Sequence, residues 1–536
     1  MAMEDFKDPG GDGAREVPFK PYVNVPRDGL DEAILSRMYE AKIVGVSAAF
    51  IQNGRVAWTG AYGWADLERE RPAAPDTVYR IASVSKPITA TALMQLWERG
   101  MFHLDDDIGA YLGYPVRNPN YPEVKITFRM LLTHTSSILD AGGYETALTA
   151  PQPPLLKDLL VPGGEAYTPA TWGNYRPGTR FNYSNFGAGI IGALVEVLSG
   201  EHFDRYALNH IFKPLDMDAG YTVADLAHLD KLAVLYKTAG HDRFFPACDY
   251  FKEGEVPRRR PYLPLGNYYI GPAGAVRTSV PDLAKFMIAH MSGGVYQGVR
   301  LLRKDTADLM QQIHWYGFGL NGLFRQMGLF FHITDALAGR RLTGHPGEAC
   351  GLVGDMYFDR DENTGVIFMT NGGYYRTLIS GFTDIEEAVI NKVYRELGGP
   401  PGAVPRVITL RIGDSRAVVN GRSVFYPVPP DVKPGDLYVP AVTLADALQT
   451  FIEFDEKTGI LSLTKRGRVL RARAGEAYLE VNNSRVLLED PVYCKDGFLM
   501  LPLIRVSGLF EAEVTYRSAE EIRVTLRDDL RGAGRG

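Results

Sequence analysis

The sequence predicts an α+β architecture: an antiparallel sheet flanked by helices with a helical lobe beside it, followed by a smaller α+β domain of two tandem repeats. Three observations carry this. Strand-like pairs stand near both ends of the first 400 residues, at 46–60 and 351–370, with helical patterns between them, so the sheet is assembled from two distant stretches. The 536-residue length exceeds one ordinary domain. Beyond about 404 the chain repeats itself at an offset of 62: Asn420 returns as Asn482, Val424 as Val486, Pro429 as Pro491, Lys433 as Lys495, Gly435 as Gly497, Pro440 as Pro502 and Phe454 as Tyr516.

In chain order, residues 1–28 form a polar arm rich in Gly and Pro, without the apolar core of a signal peptide. As written the chain reads as cytoplasmic; a secreted precursor whose signal had been replaced by Met would read the same, so localisation stays open. A catalytic domain is expected over 29–400. Within it, 29–43 has amphipathic helical spacing, and 46–52 and 55–60 are strands joined by Asn53-Gly54, a strong hairpin signal. Residues 87–330 form the lobe, including an apolar helix at 190–198. Strands at 351–358 and 365–370 and a helix near 380–397 close the domain. Gly399-Pro400-Pro401 marks a break in composition, after which repeats of about 405–466 and 467–528 precede a flexible tail, 529–536. Each repeat reads as strand, turn, strand, a short helix led by Pro, and closing strands. The pair resembles the stalk-type N-terminal domain of copper amine oxidases, and the resemblance implies a spacer or binding module with possible cell-envelope contact. No His lies beyond 345, so copper is not expected.

Composition excludes several functions. The net charge of −6 offers no basis for nucleic-acid binding, and Arg258-Arg259-Arg260 is the one notable basic run. No apolar run reaches the length of a membrane span. Cys248, Cys350 and Cys494 are too few and scattered for a disulfide framework, and an odd count leaves at least one thiol unpaired. The ten His form no metal-ligand spacing, so no metal is expected.

Ser83-Val84-Ser85-Lys86 opens a helical pattern with apolar positions at 88, 92, 93, 96 and 97. Pro87 fits only a first turn, so Ser83 stands at a helix mouth, where free N–H groups favour developing negative charge, with Lys86 on the same face. Ser462-Leu463-Thr464-Lys465 has the same spacing inside an alternating, strand-like stretch, which puts its Ser and Lys on opposite faces. Tyr183-Ser184-Asn185 follows in a loop before the apolar helix. His345-Pro346-Gly347-Glu348 precedes a strand.

Taken as an ordered set, these motifs resemble the serine penicillin-recognising hydrolases, the branch of class C β-lactamases, D-Ala-D-Ala carboxypeptidases, D-aminopeptidases and related esterases. The stretches Tyr79-Arg80-Ile81-Ala82, Leu104-Asp105-Asp106-Asp107-Ile108, Ile126-Thr127-Phe128-Arg129-Met130-Leu131-Leu132-Thr133-His134-Thr135-Ser136, Phe212-Lys213-Pro214-Leu215-Asp216-Met217 and Gly271-Pro272-Ala273-Gly274 extend the likeness over about 30–397. It implies a β-lactamase/transpeptidase-like fold. It also implies Ser83 as nucleophile, Lys86 as its activator, Tyr183 as general base and later proton donor, and Asn185 as an orienting group. The backbone N–H groups of Ser83 and Glu348 would form the oxyanion hole, with Asp105 and His134 as scaffold. Where β-lactamases carry Lys-Thr-Gly, this chain has His345-Pro346-Gly347. A mostly neutral imidazole and a Pro without hydroxyl or N–H hold a carboxylate poorly, and leave Tyr183 with Lys86 as the main cation lowering its pKa. The expected activity is therefore a serine hydrolase acting through an acyl-enzyme on a small ester, amide or peptide, esterase or amidase first, D-amino-acid peptidase second and β-lactamase third. Acyl transfer through a serine would need no other cofactor. A binding protein that keeps the fold without turnover is the alternative outside catalysis.

Overall fold

A computed structural model describes residues 16–526 except 241, 252–254, 256–258, 260, 317–322, 401–405, 420–421, 426–427, 434–435, 449, 456, 466 and 518–520. The arm before 16, the tail from 529, the break at 401–404, Arg258 and Arg260, and the repeat positions Asn420 and Gly435 therefore lie outside the described residues. The chain enters with α1 (Gly29–Glu40), capped by the Asp28 carboxylate, which accepts from the N–H groups of Leu30 and Asp31. Strands β1 (Gly45–Gln52) and β2 (Arg55–Asp66) turn at Asn53 and Gly54, both with positive φ, as that dipeptide favours. After β3 (Arg71–Pro72) come the helices of the lobe, α2 (Ser85–Glu98), α3 (Asn185–Ser199) and, beyond β4 (Arg243–Cys248), α4 (Val280–Met291). The chain then returns through β5 (Trp315–Tyr316), β6 (Gln326–Met327), β7 (His332–Thr334), β8 (Leu342–Ala349), β9 (Leu352–Asp359) and β10 (Thr364–Thr370), and ends the domain with α5 (Asp384–Leu397).

These strands make one nine-stranded antiparallel sheet in the order β5-β6-β7-β8-β9-β10-β1-β2-β3, joining the two distant stretches at the β10–β1 ladder. Alternation along the strands gives the sheet two apolar faces. Val46, Ala48, Phe50, Val366 and Phe368 pack on Leu30, Ile34 and Met38 of α1 and on Ile385, Val389 and Val393 of α5. Ala49, Ile51, Met356, Phe358, Ile367 and Met369 belong to the larger core with the lobe. Cys248 and Cys350 are joined in a disulfide that ties β4 to the turn between β8 and β9, while Cys494 is free and exposed. The sequence hides this bond because its partners lie 102 residues apart.

The carboxy-terminal elements recur at the spacing read from the sequence. The strand β11 (Arg406–Arg411) returns as β13 (Arg468–Arg473), Arg416–Val419 as Tyr478–Val481, and Asp436–Pro440 as Phe498–Pro502, each of the last pair leading into a short helix. The closing strand of each unit crosses to the other. β12 (Ile460–Lys465), which ends the first unit, pairs with β13, which opens the second. β14 (Glu521–Leu526), which ends the second, pairs with β11. The two units share one core, against which Ile313 and Tyr316 of the larger, amino-terminal domain also pack. Arg325 stands 3.7 Å from Glu453, and Arg341 donates to the Ala445 carbonyl at 3.3 Å.

Candidate active site

Ser83 sits in a single 3₁₀ turn, Ala82–Val84, immediately before α2. Ala82 has φ +47°, a left-handed conformation that costs a non-glycine residue about 1–2 kcal/mol and turns the chain sharply from the strand Val78–Arg80 into the helix. Lys86, one turn on, is wholly buried, and its Nζ donates to Ser83 Oγ at 3.1 Å, Asn185 Oδ1 at 2.7 Å and the Ala273 carbonyl at 2.9 Å. Burial pushes its pKa down to about 7, opposed by the negative charge of Asp140. The second Ser-x-x-Lys behaves as read: Ser462 and Lys465 lie in β12, with Lys465 donating to the Leu448 carbonyl.

Tyr183 and Asn185 arrive where the loop enters α3, which Ser184 caps by accepting from the Gly187 N–H. The Tyr183 ring is held in a stack, with His134 at 4.4 Å on one side and Phe324 at 5.0 Å on another, and Lys86 Nζ lies 4.6 Å from its centre. Burial is the largest influence on its phenol and raises the pKa, outweighing a hydrogen bond with Ser83 that lowers it. The expected lowering by a neighbouring cation is thus reversed: desolvation disfavours the phenolate, and Lys86, itself inclined to be neutral, supplies little charge against it. His134, a scaffold residue in the sequence reading, accepts the Ser184 N–H at Nδ1 (3.1 Å), and Asp105 is engaged by Arg129 at 2.8 Å.

The third motif precedes β9 as expected, but it also lies within a strand of its own, β8. Gly344, Pro346 and Gly347 are poor strand formers, which disguises it, yet two are required: a Cβ at Gly344 would meet the Met356 carbonyl at 1.8 Å, and one at Gly347 the Ile81 carbonyl at 2.6 Å. The second contact shows how closely β8 runs past the turn bearing Ser83, with Glu348 next along it. His345 is fully buried. Its Nδ1 lies 2.6 Å from the Pro346 carbonyl and so carries the proton, which leaves Nε2 as an acceptor without a partner among the described residues. Burial, and then the Lys86 charge, push its pKa well below the usual range, so the ring is neutral.

Ser83, Lys86, Tyr183, Asn185, His345 and Gly347 are therefore brought together. Sequence reasoning missed Asp140, which holds the start of α3, and gave no role to the Ala273 carbonyl. Asp140 follows the His134-Thr135-Ser136 stretch in an irregular segment, and only its position after those residues singles it out. Among the described residues no group of side chains has the makings of a metal site, and no single helix is long and apolar enough to cross a membrane.

A family profile described as Beta-lactamase matches residues 30–389, and one described as Copper amine oxidase N-terminal domain matches 405–463 and 418–525. Protein flp of Staphylococcus aureus (strain N315) is 29% identical over 196 residues, 36% of this chain and 38% of that protein. The penicillin-binding protein PbpX of Bacillus subtilis (strain 168) is 31% identical over 258 residues, 48% of this chain and 57% of that one. The matches thus span about half or less of both. Among solved structures, the octameric penicillin-binding protein homologue from Pyrococcus abyssi has a TM-score of 0.53 at 21% identity, covering 88% of this chain and 98% of that one. D-amino acid amidase from Ochrobactrum anthropi SV3 has 0.53 at 22%, covering 69% and 99%. These two share the fold. With the profile running from α1 into α5, across the sheet, the lobe and all three motifs, the chain belongs to the β-lactamase family.

Proposed function

We propose that the protein is a serine hydrolase that forms an acyl-enzyme on Ser83 and acts on small esters or amides. The observation that carries this reading is the buried Lys86 amine, 3.1 Å from Ser83 Oγ, with a pKa pushed down to about 7. A serine hydroxyl is a poor nucleophile until a neighbour takes its proton, and an amine neutral near pH 7 can do so. In the proposed step the Ser83 proton passes to Lys86 Nζ while Oγ bonds to the substrate carbonyl carbon. Oxyanion charge falls on the backbone N–H groups of Ser83 and Glu348, each such donor worth about 3 kcal/mol. Tyr183, kept as a phenol, relays the proton from Lys86 to the departing alcohol or amine, and water repeats the sequence in reverse to release the acid. Lys86 is thus the base and Tyr183 the relay, a division that the opposite directions of their shifts support.

The neutral ring of His345 offers no charge to a carboxylate, which favours ester and amide substrates over β-lactams and peptide C-termini. A D-amino-acid peptidase is the second reading, in keeping with the penicillin-binding relative and the amidase fold. The test is Ser83→Ala beside Ser462→Ala. The first should abolish p-nitrophenyl ester turnover and fluorophosphonate labelling, and the second neither. Turnover near the unmodified rate in Ser83→Ala would overturn the reading. An unmodified protein that is labelled but never turns over would establish the binding-protein alternative.

A further inference from the structure

Asp140 Oδ2 accepts from the Asn185 backbone N–H at 2.9 Å and from Asn185 Nδ2 at 2.7 Å, while Oδ1 accepts from the Phe186 N–H at 2.8 Å and Ser184 Oγ at 3.2 Å. A carboxylate can only accept, so it dictates which end of the Asn185 amide faces it: Nδ2 turns to Asp140 and Oδ1 to Lys86 Nζ, 2.7 Å away. With the amide reversed, Oδ1 would oppose the carboxylate and Nδ2 would oppose the ammonium. We propose that Asp140 is a positioning residue, which fixes the Asn185 amide and so aims the Lys86 amine at Ser83 Oγ.

The proposal rests on the reading of Ser83 and Lys86 above and adds what sets the protonation of the pair. The charged or titratable groups around Lys86 are Asp140, Tyr183, His134 and His345. The two imidazoles are buried, with pKa values pushed well down, and the phenol is pushed up. Asp140 is therefore the one of these four whose negative charge favours the ammonium. Replacing it by a neutral group removes that charge and frees the amide to turn, and both effects ease the proton off Lys86.

The experiment measures kcat and KM on a p-nitrophenyl ester against pH for the full chain and for Asp140→Asn and Asp140→Ser, the latter retaining a hydroxyl suited to a helix start. The acid limb of kcat should move to lower pH by about one unit, with kcat down about tenfold and KM little changed. A limb superposed on that of the unmodified protein in a folded variant would overturn the proposal, since a merely structural role lowers the amount of active enzyme without moving its titration. If neither variant folds, Asp140→Glu decides: with charge kept and the carboxylate displaced, the limb should stay while kcat falls, and an unmodified kcat would overturn the proposal. Fluorophosphonate labelling of Ser83, lost in Ser83→Ala, separates failure of this inference from failure of the underlying reading.

Discussion

At the scale of single residues, the departure of the third motif and the state of Lys86 set the expected kinetics. With Lys86 as the proposed base, its protonation removes the group that activates Ser83, so kcat/KM on short esters should fall as a single titration below about pH 7. A pH profile checks this, and a kcat/KM that keeps rising well above pH 7 would overturn the assignment of Lys86 as the base. With a neutral His345, ester turnover should exceed nitrocefin turnover by about a hundredfold, the scale of a missing charged hydrogen bond. His345→Lys with Pro346→Thr should narrow that gap, measured as the ratio of the two kcat/KM values. The residues that meet at the site were legible because each stands in a short motif whose spacing reflects local backbone geometry, as Ser83 and Lys86 do on one helical turn. Asp140 was not legible, since its role depends on where an irregular loop folds back. Nor was the direction of the Tyr183 shift, which depends on how much water reaches the ring and not on which residues neighbour it in sequence.

At the scale of elements, the hairpin at Asn53-Gly54 and the helices of the sheet's outer face follow from turn chemistry and apolar spacing, and α5 adds a reciprocal cap between Thr383 and Glu386. What that spacing could not show is the carboxyl pair beneath α5. Asp355 lies on β9 opposite Pro346, fully buried, and faces Glu386, whose pKa burial raises to about 7. Asp355 is raised too, by burial and by Glu386. The folded state therefore holds a proton that the unfolded chain releases near pH 4.5. That contribution to stability is fully present below about pH 4.5 and is lost as pH rises through about 7. Glu386→Gln, which cannot ionise, should flatten the fall in melting temperature between pH 5 and pH 8, as thermal melts across that range would show. β8 escaped detection for the converse reason: two of its glycines exist to admit neighbouring backbone, and close approach leaves no mark in hydrophobic periodicity.

At the scale of the whole molecule, the nine-stranded sheet and lobe have cores of their own, and the carboxy-terminal pair has another, joined through Ile313 and Tyr316. The sequence suggests that a chain cut near 403 stays folded and active. The packing adds a cost: uncovering those two side chains should lower stability by about 2–4 kcal/mol. Thermal melts of the cut and full chains, with ester turnover as control, measure it. A cut after 466 should fare worse and precipitate, because it strands both β11 and β12 without their partners from the second unit. Repetition was plain in the sequence, but the exchange of closing strands was not, since identical units do not say with whom they pair. The exchange also governs how the module responds to being pulled. Its first and last strands run antiparallel side by side, with Arg406 opposite Leu526, so entry and exit lie about 5 Å apart. Inserted in a tether, the folded module adds almost no reach. Tension applied at its two ends breaks the β11–β14 ladder one hydrogen bond after another, as a zipper opens, instead of loading all of them at once in shear.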